Sequence, residues 1–340
     1  MPILVVAILG ALIPTAIYVL FVWWLDRYEK EPLWLLALAF LWGAGPAAFL
    51  SVAFEQLATP AFAALGVESM AAHLVKIGIG APLVEESWKG IALIGLVLVF
   101  YHEFDDVLDG IIYGAMIGFG FAFTENIFGY FLPILRGETS GSGLLFILLR
   151  TVVFGANHAF WTGITGAAVG YARLARDWWR RLFIPMGGWA LAVLFHSLHN
   201  IGTSMVQHGT CFPLGVSLIV DWGGLLLLLL VAALALRREC RWIEQGLATE
   251  VNHGMLTIEE YDILRSAGQR LWVQLQAFKR GGRQASRSVG RYFQTATELA
   301  FEKRHMRAAG NGGAENAEIH RLQQELADHR ARAWSWLWPV

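Results

Sequence analysis

Two cysteines in 340 residues exclude a disulfide scaffold and a cysteine-rich metal site. Charge is scarce too. Asp, Glu, Lys and Arg make up 16% of the chain, against about 25% in a soluble globular protein. The formal net charge is −1, so no overall basic field attracts nucleic acid. What the chain has instead is apolar surface. Hydrophobic residues reach 56%, with 15 Trp and 21 Phe, and the mean hydropathy is +0.49. This composition excludes a disordered chain, a coiled coil and a single soluble enzyme domain, and it describes a bilayer protein with aromatic belts.

A membrane-spanning helix needs roughly 20 mostly apolar residues. Seven stretches qualify as expectations: Ile3–Trp24, Leu33–Ala53, Ala71–Phe100, Leu108–Phe131, Leu144–Tyr171, Leu182–Met205 and Pro213–Leu236. The first has no Lys or Arg before it and no small-residue cleavage site, and reads as a retained helix rather than a signal peptide. The expected fold is an all-α polytopic bundle, residues 1–236, followed by a helical cytoplasmic tail, residues 237–340. Charge marks the same boundary. Through residue 236 there are 10 Lys/Arg and 15 Asp/Glu, and beyond it 16 and 12. Basic residues near the membrane gather in alternate loops: Arg27 and Lys30, then Arg173, Arg176, Arg180 and Arg181, then Arg237, Arg238 and Arg241. That bias places the N-terminus outside and the tail in the cytosol. On this topology Cys211 and Cys240 lie on opposite sides and cannot pair. In the tail, Ile258–Phe278 and Gln284–Met306 carry helical patterns. Gly281–Gly282 and Ala309–Gly313 read as breaks, and Glu315–Ala333 as a loose amphipathic helix.

Charges inside spans are expensive and tend to face a protein interior or a cavity. Here they form a set. The third span holds Glu85-Glu86-Ser87-Trp88-Lys89. Adjacent helical residues point about 100° apart, so the two carboxylates face differently, and Lys89 reaches either at i,i+4 or i,i+3. The fourth span carries Gly110, Gly114 and Gly118, a row suited to close helix packing, then Glu125 and Asn126. The fifth holds Asn157-His158, with Gly155, Ala159 and Gly163 as a second small-residue face. The sixth holds His196-Ser-Leu-His199-Asn200, which sets His196 and Asn200 on one face. Glu85, His158 and His196 each lie 14 residues from the start of their spans, and Glu125 lies 17. At about 1.5 Å per residue, these groups share one layer of the bilayer. Independent packing devices need not coincide in this way.

Carboxylates, imidazoles and an amide at one depth suit water activation. In one version imidazoles and a carboxylate bind Zn²⁺ while another carboxylate is general base. In the other a Glu deprotonates water directly, and imidazole and Asn200 donate to the oxyanion. Both hydrolyse an amide bond inside the membrane. The chain lacks His-Glu-x-x-His, Gly-x-Ser-x-Gly, Gly-x-Gly-Asp and a P-loop. The rival class is an ion-coupled transporter that uses the buried Glu, Lys and His as a proton relay, although no internal repeat accompanies it. A third reading is a scaffold whose polar groups only pack.

Glu85-Glu86-x-x-Lys89, Phe121-x-x-x-Glu125-Asn126, Asn157-His158-x-Phe-Trp and His196-x-x-x-Asn200 together resemble the motif set of the PrsW family of intramembrane proteases. Asp26-Arg-Tyr-Glu-Lys-Glu31-Pro32 is similar to that family's acidic, proline-ended stretch after the first helix. The likeness covers residues 15–236. The related type II CAAX prenyl proteases have an arginine one position after Lys89 and a histidine where this chain has Glu125. The resemblance implies a metalloprotease of the bacterial cytoplasmic membrane that acts on membrane-anchored proteins such as anti-sigma factors. It makes Glu85, Glu86, Glu125, His158 and His196 catalytic or metal-site candidates, with Asn200 as a donor. On it, Glu85 or Glu86 is the base, and His158, His196 and Glu125 are the zinc-ligand candidates.

Overall fold

The computed structural model describes residues 2–64, 74–101, 103–137, 143–206, 209–308 and 317–337. All regular structure among them is helical. In chain order the helices are α1 Pro2–Leu25, α2 Leu33–Trp42, α3 Ala48–Ala64, α4 Ala81–Val99, α5 Val107–Glu125, α6 Leu132–Leu135 and α7 Gly143–Leu148. There follow α8 Asn157–Leu174, α9 Trp178–Val206, α10 Phe212–Asn252, α11 Ile258–Leu264, α12 Ala267–Ala308 and α13 Ala317–Leu337.

Among the described residues, six helical stretches are long and apolar enough to cross a membrane: Ile3–Leu25, Leu33–Pro60, Val107–Leu135, Leu145–Leu174, Trp178–Val206 and Phe212–Asn252. The protein is an integral membrane protein. Large apolar side chains such as Leu57, Leu98, Phe212 and Ile219 are more than 70% exposed, as a lipid-facing surface requires. The expected third span is also helical over 74–99, while its residues 71–73 lie outside the described residues. Lys76, Glu85, Glu86 and Lys89 give it a charge load unlike that of the other six.

Four single π-turns interrupt these helices: Gly43–Ala47, Lys76–Gly80, Asn126–Phe131 and Leu149–Val153. The first contains Pro46, which has no backbone N–H for the helical ladder. Such turns re-aim the residues around them and are frequent at functional sites. The expected fifth span is not one continuous helix. Its path leaves the helix at Phe154–Ala156, and α8 restarts at Asn157. A β-carbon on Gly155 would come within 2.8 Å of the Tyr18 ring. The Tyr18 hydroxyl donates to the Thr151 and Val152 carbonyls, 3.2 Å each.

The glycine row of α5 packs backbone to backbone, as expected. Gly110, Gly114 and Gly118 lie against the carbonyls of Gly166, Thr162 and His158 of α8. On the α8 side the crossing runs through the backbone from His158 to Gly170, including the Ala159 nitrogen and Gly163 Cα expected from the small-residue face; Gly155 instead lies against Thr151 and Tyr18. A β-carbon on Gly163 would meet Leu228.

The described residues separate into two compact units, Met1–Asp26 with Glu31–Ala232, and Arg27–Lys30 with Ala233–Val340. The second unit has its own apolar core, including Ile243, Leu247, Val289, Tyr292, Ala296 and Leu299. Thr257 and Glu260 cap α11 reciprocally, and Glu260 also accepts two bonds from Arg330, at 2.7 and 2.8 Å. Arg270 is buried, donates to the Leu264 carbonyl and to Thr297, and burial pulls its guanidinium down to about 10. The break at Gly281–Gly282 is present, with Gly282 at φ +61°. The break expected at Ala309–Gly313 lies outside the described residues. Both cysteines are free.

Candidate active site

Three helices bring the charged set together. α4 carries Glu85, Glu86 and Lys89 on successive faces of one turn and a half. α8 presents His158 in its first turn, directly after the Phe154–Ala156 break. α9 carries His196 in mid-helix. All five side chains are buried. Ligand-type atoms of Glu85, Glu86, His158 and His196 lie within 4.8 Å of one another.

Lys89 sits among these groups. Its Nζ donates to Glu86 Oε1 at 2.8 Å, His158 Nδ1 at 2.9 Å and Glu85 Oε2 at 3.3 Å. It also lies 3.7 Å from the centre of the Phe121 ring, on whose face a cation is attracted. The helical spacing puts either carboxylate within reach of Lys89; in the fold it reaches both, Glu86 more closely. Glu86 is the more heavily bonded of the two, because it also accepts from His196 Nδ1 at 3.1 Å and Thr162 Oγ1 at 3.1 Å. Glu85 has Lys89 as its one hydrogen-bond partner among the described residues, and it stands 3.9 Å from His196 Nε2 and 4.0 Å from His158 Nδ1.

Each imidazole is held from behind. His158 Nδ1 accepts from Lys89, so Nε2 carries the proton and donates to Glu125 Oε2 at 2.9 Å. Glu125 is ion-paired to Arg150, whose Nε also donates to Asn126 Oδ1. Glu125 therefore meets His158 at the nitrogen facing away from Lys89, and it is not one of the four converging groups. His196 stacks on the Trp161 indole, centroids 3.9 Å apart and planes 13° apart. Asn200 points elsewhere: its Nδ2 donates to the Ile77 carbonyl at 3.0 Å, tying α9 to the π-turn ahead of α4. The acidic stretch Asp26–Pro32 is not part of the cluster. There the Glu31 backbone N–H donates to Asp26 Oδ2 at 2.7 Å and the Tyr113 hydroxyl donates to Glu31, whose carboxyl burial pushes up to about 8.

Sequence reasoning missed a neighbouring group. Asp221 of α10 is buried, and its Oδ2 accepts from His199 Nδ1 at 2.6 Å and Asn157 Nδ2 at 2.9 Å. Its Oδ1 and the Trp161 indole N–H are buried without a hydrogen-bond partner among the described residues. His199 and Trp161 are neighbours, 5.3 Å between centroids. A lone Asp in the run Pro213–Leu236 was the available signal, by the same rule that singled out Glu85 and Glu86. Arg150 was visible as a charge inside the fifth span, but not as the partner of Glu125.

Two imidazole nitrogens and two carboxylate oxygens at this spacing fit Zn²⁺, which takes such ligands in tetrahedral geometry. The donors already surround a cation, the Lys89 ammonium, which a metal would have to displace. His158 backed by Glu125 also matches the carboxylate–imidazole pairing that orients metal-bound histidines.

A family model described as PrsW family intramembrane metalloprotease matches residues 31–235. The protein named Protease PrsW from Geobacillus kaustophilus (strain HTA426) is 30% identical over 177 residues, covering 52% of this chain and 68% of that relative. No solved structure matches the chain. The matched region takes in every residue of the buried cluster, and the chain belongs to the PrsW family of intramembrane metalloproteases.

Proposed function

We propose that this protease hydrolyses peptide bonds of membrane-anchored proteins at the Glu85–Glu86–His158–His196 cluster. The observation that carries this reading is the convergence of two glutamates and two histidines from three helices in an apolar interior. Membrane-anchored regulators of the anti-sigma type are the substrate class we favour. The transporter reading finds no support in the family match. The distribution of basic loop residues supports an N-terminus outside and a tail in the cytosol, and the family supports placing the protein in a bacterial cytoplasmic membrane.

The roles follow from hydrogen-bond occupancy. Glu85, with one partner at 3.3 Å, has lone pairs free to take a proton from water. Glu86, with three donors already in place, anchors Lys89 and His196. Glu125 and Arg150 hold the His158 ring, and Trp161 holds the plane of His196. Asn200 supports the turn ahead of α4; that replaces the oxyanion role its spacing suggested. Glu86, His158 and His196 would hold Zn²⁺, which supplies Lewis-acid polarisation of the scissile carbonyl and acidifies water. Lys89 favours a second, metal-free version, because its ammonium already lies where positive charge is needed and can face the developing oxyanion.

Purified protein in lipid nanodiscs, given a single-span membrane protein as substrate, is expected to yield a cut within or beside the span, mapped by mass spectrometry. Loss of cleavage on chelation, restored by Zn²⁺ at one ion per chain, supports the metal version. Full activity after exhaustive chelation with no bound metal establishes the Lys89 version instead. A folded preparation that cleaves none of a panel of such substrates overturns the assignment.

A further inference from the structure

The second unit contains a groove that the proteolytic reading does not use. It has a volume of about 620 Å³, and Arg283, Arg287, Arg291, His329, Arg332 and Trp336 line it. Three of the arginines recur at i, i+4 and i+8 along α12, spanning about 12 Å of helix. α13 supplies the others. Among the described residues, no carboxylate lines the groove.

Several other basic side chains of this unit are matched to acids. Arg330 pairs with Glu260, Lys303 with Glu250, Arg321 with Glu318 and Glu325, and Arg265 with Asp262 and Glu244. Arg283, Arg287 and Arg291 form no ion pair among the described residues, and Arg332 has Asp328 at 3.9 Å. Like charges four residues apart on a helix repel and destabilise it. A row of three, facing a fourth across a groove, keeps that repulsion unless an anion relieves it. The helical path of α12 resumes at Arg283, after the break at Gly281–Gly282, so the first arginine of the row stands at the start of the new segment. His329 is tied through Nδ1 to Thr295 Oγ1 at 2.9 Å and keeps Nε2 for a ligand.

We infer that this groove binds a phosphate-bearing anion with two or more phosphoryl groups within reach of one another. Guanidinium forks match phosphate oxygens in bidentate fashion, and three forks spread over about 12 Å exceed what one phosphate can engage. The phosphates come either from a soluble diphosphate or from adjacent anionic lipid headgroups.

The full chain separates these sources. In phosphatidylcholine nanodiscs at physiological ionic strength, sodium pyrophosphate is titrated by calorimetry while hydrogen exchange is followed over residues 283–291. In a parallel arm, phosphatidylglycerol replaces part of the phosphatidylcholine and pyrophosphate is omitted. Binding and protection with pyrophosphate identify a soluble ligand, and protection in phosphatidylglycerol alone identifies lipid phosphates. Arg287→Glu/Arg291→Glu is expected to weaken the effect by about tenfold or more. Arg237→Glu/Arg241→Glu, exposed in the same unit and equal in charge change, should stay within about twofold of wild type. Unchanged melting temperatures establish that both variants fold. No response in either arm, or an equal loss in both variants, overturns the site.

Discussion

Glu85→Gln is expected to lose at least about 100-fold in cleavage rate, the lower end of what a general base contributes, while melting at or above the wild-type temperature. Glu86→Gln is expected to lose activity and stability together. The two residues are adjacent, and their surroundings separate them. Two carboxylates share one ammonium in this cluster. Removing the charge of Glu85 leaves Lys89 with Glu86 at 2.8 Å and His158 at 2.9 Å, a balanced pair in a buried setting. Removing the charge of Glu86 instead leaves Lys89 with its longer contact, 3.3 Å to Glu85. It also puts an amide where His196 and Thr162 both donate. Disrupting a buried, hydrogen-bonded pair costs on the order of 3 kcal/mol. Thermal unfolding and cleavage, measured on one preparation of each variant, read the split. An active Glu85→Gln beside a stable, inactive Glu86→Gln would exchange the two roles.

Gly118→Ala should impair the site from outside it. A β-carbon there would lie 2.6 Å from the Ala159 backbone nitrogen, and closer still to the His158 carbonyl oxygen. Both are backbone atoms at the start of α8, so no side chain can turn aside. α5 and α8 must move apart, and His158 moves with α8. Overpacking of this kind costs about 1–3 kcal/mol, and a shift of about 1 Å at a reacting group can cost about 100-fold in rate. Gly95→Ala is the control. It lies in α4, the helix of Glu85, and its β-carbon would meet nothing within 4 Å. Replacing a helical glycine in open space gains roughly 0.5–1 kcal/mol. Melting temperature and cleavage should fall for Gly118→Ala and hold or rise for Gly95→Ala. Equal behaviour of the two would remove the close crossing from the account.

The helices were legible because apolar runs of membrane-spanning length admit few other structures. The cluster was legible because Glu85, Glu86, His158 and His196 are costly inside such runs and fall at one depth. What the pattern could not carry was direction. Glu125 and Asn200 share that layer, yet one turns to the far nitrogen of His158 and the other to the Ile77 carbonyl. Ile77 lies inside the π-turn Lys76–Gly80, and Glu125 stands at the junction with the π-turn Asn126–Phe131; such turns have no distinct apolar period. The break before Asn157 had a local signal in Gly155, but the same glycine also suits a packing face. Its meaning depended on Tyr18, 137 positions earlier in the sequence.

Proteolysis at the Glu85 cluster is tested most directly by membrane-protein N-terminal proteomics in cells expressing wild type, Glu85→Gln or His196→Ala at matched levels of folded protein. The account predicts new N-termini, in or beside single transmembrane spans, with wild type alone. Identical fragment profiles in all three would contradict it.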